Sequence, residues 1–477
     1  MRQINWGVIG PGSIARAFAY SIQGTTNSKL TSVFGRNHQK TDSFASKFHL
    51  NAHHRLSDFI SSKEIDAIYI ATPHSEHFFY ALEAIKNGKH VLCEKPLTMN
   101  SYESMVLLDL ANSKKVFLME AFMYRSHPQT RNILKNLSFL PDAKEKILIE
   151  ASFGFKADVP EVHRLRNPDL GGGAILDVGC YPLTMAKLIA GHLQGLSFAE
   201  PKSISATGQI DETGVDLQSH AHIVFSDSIE AKISCAINEN FSNNLIISSG
   251  QYSISAADPW HCGQFNEGNS SIHLLNQGVS SQEIKCIDNE GLFTREIEHA
   301  SGCILEQRIE SDLISHTETQ SNMFWLDMWR QEMKINCPKS RIKNSPILQS
   351  QAYLFQETQL KSTDLPGLNK MGSRLAMGCD NQISDLHAYT MFDHFYGSGG
   401  RIFDTAFIYN HGMGDKYLGD WIRTRKVEED VIVLGKAAHT PECEPKYIRP
   451  QVQEPVSYTH LRAHETLRYL VCRLLLE

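Results

Sequence analysis

The sequence predicts an α/β fold that opens with a doubly wound parallel sheet, and three observations carry that reading. Short apolar runs at 4–9, 29–34, 66–71 and 90–93 alternate with helical patterns around 14–22, 42–48 and 78–87. Strands and helices alternating at this spacing build parallel βαβ units. A glycine turn, Gly10-Pro11-Gly12-Ser13-Ile14-Ala15, joins the first strand to the first helix. A later apolar strand, Val91-Leu92-Cys93-Glu94-Lys95-Pro96, ends in a charged pair pinned by proline.

The glycine turn has the chemistry of a dinucleotide site. Gly10 permits the tight turn and Gly12 lets backbone approach a pyrophosphate. Ser13 and Ile14 open the helix whose N-terminus faces the anion, and Ala15 keeps that helix close to the strand. An NAD enzyme places a carboxylate about 20 residues past this motif to grip the ribose 2′-hydroxyl. Here that place holds Gly35-Arg36-Asn37. A guanidinium suits a 2′-phosphate, so NADP is the expected cofactor, with NAD possible.

Four segments in order resemble the glucose–fructose oxidoreductase and inositol dehydrogenase family, Gfo/Idh/MocA, over roughly residues 1–342. They are the glycine turn, Ala71-Thr72-Pro73-His74-Ser75-Glu76-His77, Glu94-Lys95-Pro96, and Gly171-Gly172-Gly173-Ala174-Ile175-Leu176-Asp177-Val178-Gly179-Cys180-Tyr181. The resemblance implies a Rossmann domain (1–122) and a substrate domain (123–342) with an open, largely antiparallel sheet. Segments 147–155, 203–210, 220–225, 229–236 and 245–249 read as its strands. It also implies an NAD(P)-dependent oxidoreductase acting on a sugar, polyol or dihydrodiol-like substrate, and a homo-oligomer joined through the open sheet. Thr72, Pro73, His77, Glu94 and Lys95 fall on the cofactor side, with His77 buttressing the nicotinamide loop.

Hydride transfer at a carbinol carbon needs a group to take the hydroxyl proton. Asp177 and Tyr181 are four apart, so on a helix they share a face and reach one cleft. A tyrosine at 181 resembles the dihydrodiol dehydrogenase branch of the family. By that resemblance Tyr181 and Lys95 form the acid/base pair, the ammonium lowering the phenol's pKa, while Asp177 orients substrate. Pro182 cannot donate to the Val178 carbonyl, which predicts a kinked helix here. Arg125 and Arg166 are cleft residues or structural ion-pair partners.

Residues 343–370 read as a linker, Gln-rich and helical in character over 343–363. Beyond it come Ser373-Arg374-Leu375-Ala376-Met377-Gly378-Cys379, Gly399-Gly400-Arg401-Ile402-Phe403-Asp404-Thr405-Ala406, Tyr409, Leu418-Gly419-Asp420-Trp421 and the run 431–436. These resemble the opening of an aldo-keto reductase, a (β/α)8 barrel, over about 371–455. The resemblance makes Tyr409 a general acid, Lys436 the group that lowers its pKa, and Asp404 the support for the lysine. All three lie at C-terminal strand ends, where barrels build active sites. The match stops before the family's next histidine and its NADPH-binding strands. About three of the eight barrel strands are therefore expected, which makes the module a truncated, inactive fragment with an open sheet edge. Residues 456–477 resemble a translated transposon-type sequencing adapter, an artefactual tail to which no function is assigned.

Composition sets the outer limits. The 477 residues suffice for roughly two or three domains, each with its own core, and 42% hydrophobic content suits a globular chain. No apolar run approaches membrane-spanning length, so no membrane partner is expected. The net charge of −7 argues against a nucleic-acid surface. Ten cysteines, scattered without a Cys-x-x-Cys pair, fit reduced cytoplasmic thiols rather than disulfides or zinc. His53-His54 and the pair His74 and His77 lack further ligands at metal spacing, so no metal is expected. Two other readings stay open: a catalytically silent cofactor-binding module, and a full-length gene coupling two reductases.

Overall fold

The computed structural model describes residues 2–141, 145–264, 267–288, 290, 293–335, 360–365, 370–382, 384–406, 409–436 and 446. The chain divides into two compact units, residues 1–337 and 338–477.

The first unit begins with β1 (Ile4–Ile9), α1 (Ser13–Ser21), β2 (Ser28–Phe34), α2 (His38–Phe48), β3 (Asn51–His53), α3 (Leu56–Ser61), β4 (Ala67–Ile70), α4 (His74–Lys86), β5 (His90–Glu94), α5 (Ser101–Lys114) and β6 (Leu118–Ala121). The strands form a parallel sheet in the order β3-β2-β1-β4-β5-β6. Its strands are covered on both faces, which is why β4 is buried at every position and reads as an unbroken apolar run. The order reverses between β1 and β4, and ligands bind outside the strand ends at such a point. Helix starts are set by short polar side chains: Asn37 accepts from the Lys40 amide at α2, and Asn100 accepts from two amides at α5.

After α6 (Pro128–Lys135) comes β7 (Ile147–Gly154), then α7 (Cys180–Leu193), then β8 (Ser203–Ile210), β9 (Asp216–Val224), β10 (Ile229–Ala236), β11 (Asn244–Ser249), β12 (Tyr252–Ala257), β13 (Asn269–Asn276) and β14 (Ser280–Ile287). They form an eight-stranded sheet, β14-β13-β12-β11-β7-β10-β9-β8, antiparallel except where β7 meets β10. The expected strands are present, and β12, β13 and β14 extend the sheet beyond them. Alternation is clean in β10, where Ile229, Ala231 and Ile233 are buried between outward-facing polar residues. The buried face packs under α7, and α8 (Thr294–Leu305) and α9 (His316–Glu332) complete the unit.

Two expectations are corrected here. The run 168–193 holds an 18-residue window of mean hydropathy 1.3, apolar enough to cross a membrane, but that window is wholly buried in the protein. The segment carrying Asp177 and Tyr181 is not one uniform helix: Ile175–Gly179 is a π turn and α7 starts at Cys180. Pro182 has no amide to donate to the Val178 carbonyl and so sits in the first turn of α7, which accounts for the widened turn directly before it.

The second unit contains β15 (Ser362–Asp364) paired antiparallel with β16 (Met371–Ser373). A three-stranded parallel sheet follows, made of β17 (Ala376–Gly378), β18 (Ile402–Ala406) and β19 (Ile432–Lys436), with β18 central. Helices α10 (Asp385–Gly397) and α11 (Met413–Arg425) connect them. They pack through Trp421, Phe392 and Phe403, and a buried Arg425–Asp393 ion pair at 2.6 Å ties them together. Most of the expected linker and all of 456–477 lie outside the described residues.

Candidate active site

The crevice between β1 and β4 is shaped by glycine. Gly10 has φ +90°, and a Cβ there would lie 2.8 Å from the Ala71 carbonyl oxygen. A Cβ on Gly12 would meet only the Gly10 oxygen, at 4.0 Å, so that side is open. Gly12 caps α1 without any side-chain hydrogen bond; Ser13 and Ile14 are exposed at the helix start while Ala15 is buried. Across the crevice Pro73 precedes α4, and Thr72 Oγ1 and Ser75 Oγ are buried without a hydrogen-bond partner. Arg36, just past β2, has a side chain 69% exposed and stands 3.5 Å from Glu76 Oε1. Open backbone at a helix N-terminus, orphaned hydroxyls opposite it and an exposed guanidinium fit a dinucleotide carrying a 2′-phosphate.

His77 supports this crevice from within. It is fully buried, with Nδ1 2.9 Å from the Pro96 carbonyl and Nε2 3.0 Å from the Thr72 carbonyl. Burial holds its pKa down at about 4, so the ring is neutral and has one proton for two acceptors. It bridges the loops after β4 and β5 rather than facing the cleft.

Lys95, Asp177 and Tyr181 come together at the end of β5. Lys95 Nζ donates to the Asp177 main-chain carbonyl at 2.5 Å and lies 4.9 Å from the centre of the Tyr181 ring. The Asp177 carboxylate accepts from Arg164 Nη1 at 2.7 Å, and His74 Nε2 stands 3.7 Å away. Burial alone would raise the Asp177 pKa, but Lys95, Arg164 and His74 overcome it and hold it at about 2. His74 is neutral, its pKa brought to about 3 chiefly by burial, and its Nδ1 meets the Gly171 carbonyl at 2.9 Å. The glycine run is thereby tied to the loop after β4.

Tyr181 departs from expectation. Its ring stands among Phe122, Tyr124, Phe153 and Trp260, and its hydroxyl points to Met123 Sδ at 3.6 Å. Burial, with Glu94 and other acidic neighbours, raises the phenol well above 10. The ammonium lies over the ring and not on the oxygen, so the expected lowering of the phenol's pKa is absent. Glu94 accepts the Tyr69 hydroxyl beneath this centre.

The two other arginines are structural. Arg125 is buried against Glu318 at 2.7 Å, and Arg166 pairs with Asp211 at 2.9 Å. The residue that the sequence reading missed is Arg164, two positions from Arg166. Both lie in the irregular stretch before the glycine run, where no periodicity tells which guanidinium turns inward. His74 was quoted in its motif without a role; its signal was the adjacency to Thr72 and Pro73.

In the second unit, Lys436 Nζ meets Asp404 Oδ2 at 2.8 Å and the Tyr409 hydroxyl at 2.5 Å. Burial would lower the lysine's pKa, but these two partners raise it. The trio implied by the sequence is assembled. Among the described residues one metal-like group gathers, His299, Cys303 and Asp312, with ligand atoms within 4.8 Å. Its atoms already have protein partners: Ser311 Oγ lies 2.7 Å from His299 Nε2, and Arg308 holds Asp312 at 2.9 Å. Seven buried cysteines among the described residues are free thiols.

A parallel sheet with a glycine-lined crevice and a lysine–aspartate–tyrosine cluster at its strand ends defines a dinucleotide-dependent oxidoreductase. Family models agree: residues 4–122 match the oxidoreductase family with NAD-binding Rossmann fold, and 145–254 the GFO/IDH/MocA C-terminal domain. The chain belongs to the Gfo/Idh/MocA oxidoreductase family, and residues 367–464 match the aldo/keto reductase family. It is 32% identical over 247 residues to trans-1,2-dihydrobenzene-1,2-diol dehydrogenase of Xenopus laevis, covering 51% of this chain and 72% of that protein. The Xenopus tropicalis enzyme of that name is 27% identical over 339 residues, covering 70% and 99%. A solved 3-ketoreductase from Actinomadura kijaniata, in complex with NADP and TDP-benzene, shares the fold with TM-score 0.61 and 21% identity, covering 70% of this chain and 98% of that one.

Proposed function

We propose that the first unit transfers hydride between NADP(H) and a hydroxyl or carbonyl of a sugar, polyol or dihydrodiol-like substrate. The observation that carries this is the convergence of Lys95, Asp177 and Tyr181 beside the crevice of Gly10, Gly12 and Arg36. The dinucleotide, when bound, supplies or accepts the hydride. Ser13 and Ile14 would hold its pyrophosphate, Arg36 its 2′-phosphate, and the loop of Thr72 and Pro73 its nicotinamide end.

Tyr181 is the proton-transferring group in this reading. A substrate oxygen displaces the weak Met123 contact and accepts the proton of the hydroxyl. Asp177, kept ionised by Lys95 and Arg164, accepts a second substrate hydroxyl and fixes orientation. The aromatic walls exclude water. The names of the Xenopus relatives support the diol class. The outward face of the eight-stranded sheet, with Glu150, His220 and Lys232 exposed, would join two copies as a homo-oligomer. The free buried thiols suit the reducing cytoplasm.

The test is a substrate panel of aldoses, cyclic polyols and dihydrodiols with either dinucleotide. NADP-linked turnover abolished by Lys95→Met supports the proposal; absence of binding to both dinucleotides ends it. A second reading concerns the later unit alone. The assembled Asp404–Lys436–Tyr409 trio favours a reductase acid/base site there, tested by whether aldehyde reduction exists and is lost in Tyr409→Phe.

A further inference from the structure

Asp216 opens β9 where the β8–β9 pairing shifts register, between Gln209 and Ile210. Such irregularities re-aim a side chain out of the regular alternation. Here the side chain is buried and reaches the glycine run, where Oδ2 accepts from the Ile175 amide at 2.6 Å. Ile175 begins the π turn that carries Asp177, and the N-cap of that turn, Ala174, offers no side-chain acceptor. The first amides of a helical turn find no partner within it, and a carboxyl group from elsewhere can complete them. Asp216 does so from 41 positions away. Gly173 is fitted to the same contact: its φ is +112°, and a Cβ there would overlap Asp216 Oδ1. Glycine alone takes that conformation freely and lets the carboxyl so close. Burial raises the Asp216 pKa to about 7 while the Ile175 amide and other donors pull it back. A carboxyl oxygen accepts from an amide in either protonation state.

The same hairpin end holds the other side of the Asp177 centre. Asp211 accepts from Arg166 Nε at 2.9 Å, and Thr213 Oγ1 donates to the Arg166 carbonyl at 2.8 Å. Two residues earlier, Arg164 donates to the Asp177 carboxylate at 2.7 Å. The Gly173 amide donates to the Leu165 carbonyl at 2.9 Å and closes the circuit. Guanidinium and carboxylate therefore meet from two segments that are both fastened to the β8–β9 hairpin.

We propose that Asp216 is a positioning residue for the candidate active site. It holds the Ile175–Gly179 turn so that the Asp177 carboxylate meets Arg164 and the Asp177 carbonyl receives Lys95. It acts through Asp177 and touches no reacting atom. The role in turnover rests on the hydride-transfer reading above; the hold on the turn does not.

Hydrogen exchange of the full chain without cofactor tests the hold. Asp216→Ala should speed exchange in segment 171–181 by about tenfold and leave the β1–α1 segment unchanged. Asp216→Asn, whose amide oxygen still accepts, should restore the protection. Unchanged exchange in Asp216→Ala, or no recovery in Asp216→Asn, overturns the proposal. Turnover tests the role. Asp216→Ala should lower kcat by about 10- to 100-fold, the scale of a small misplacement, with NADPH Kd within about threefold of wild type. In an Asp177→Asn background the same substitution should cost less than about threefold more, since the two residues act as one unit. An equal loss of NADPH binding, or a full further loss in that background, overturns the positioning role. Where Asp216→Ala gives no cooperative melt, Asp216→Ser, whose hydroxyl falls short of the Ile175 amide, replaces it in every arm with the same expectations. A wild type without turnover would count against the hydride-transfer reading and hence the role in turnover, while exchange still decides the hold.

Discussion

Asp177→Asn isolates the electrostatics of the centre. The carboxylate is buried, meets Arg164 at 2.7 Å, and is held at about 2 against an ordinary value of 3.8. That difference corresponds to roughly 2.4 kcal/mol of native-state stability at pH 6, at about 1.36 kcal/mol per pH unit. The sign follows from a depressed acid: the contribution is complete above 3.8 and fades as pH falls toward about 2. At pH 3 it should be only roughly 1.3 kcal/mol. The main-chain carbonyl that receives Lys95 survives the substitution, so the lysine stays in place. Urea unfolding of wild type and Asp177→Asn at pH 6 and pH 3 reads the two values, and turnover should fall with them because substrate loses its anchor. Equal stability at pH 6, or a penalty that does not shrink at pH 3, would refute the ion-cluster account.

Arg36→Asp should weaken NADPH by at least about tenfold and NADH much less, because a charged hydrogen bond to the 2′-phosphate is worth roughly 1.5–3 kcal/mol; fluorescence titration with both dinucleotides decides it. Tyr181→Phe should leave the fold and NADPH binding intact but lower kcat by about 100-fold or more, and normal turnover in this variant would move proton transfer elsewhere. Gly10→Ala combines φ +90° with a Cβ 2.8 Å from the Ala71 oxygen. It should cost about 2–4 kcal/mol, and an unchanged melting temperature would contradict the packing seen there.

The sequence by itself determined the layers and most of the cast. Period-two and buried apolar runs are local, so β1, β4, β5 and the inner strands of the second sheet were legible from patterning alone. Gly10 was legible because its φ of +90° and close approach to Ala71 demand glycine. One end of the second sheet, β12 to β14, was missed: β13 and β14 are half exposed and polar, and their pairing is set by neighbours rather than by their own pattern.

Tertiary structure decided what the side chains do. Motif order brought Lys95 and Asp177 into one proposal, but only packing set the lysine on the Asp177 carbonyl and over the Tyr181 ring. Arg164 rather than Arg166 faces the carboxylate because the loop that carries both is shaped by contacts distant in sequence. Arg125, equally eligible by type, is claimed by Glu318, 193 positions away. The burial that keeps His74 and His77 neutral and raises the Tyr181 phenol is likewise a property of the assembled interior. Periodicity reports which face of an element turns inward; charge, protonation and pairing depend on what meets that face.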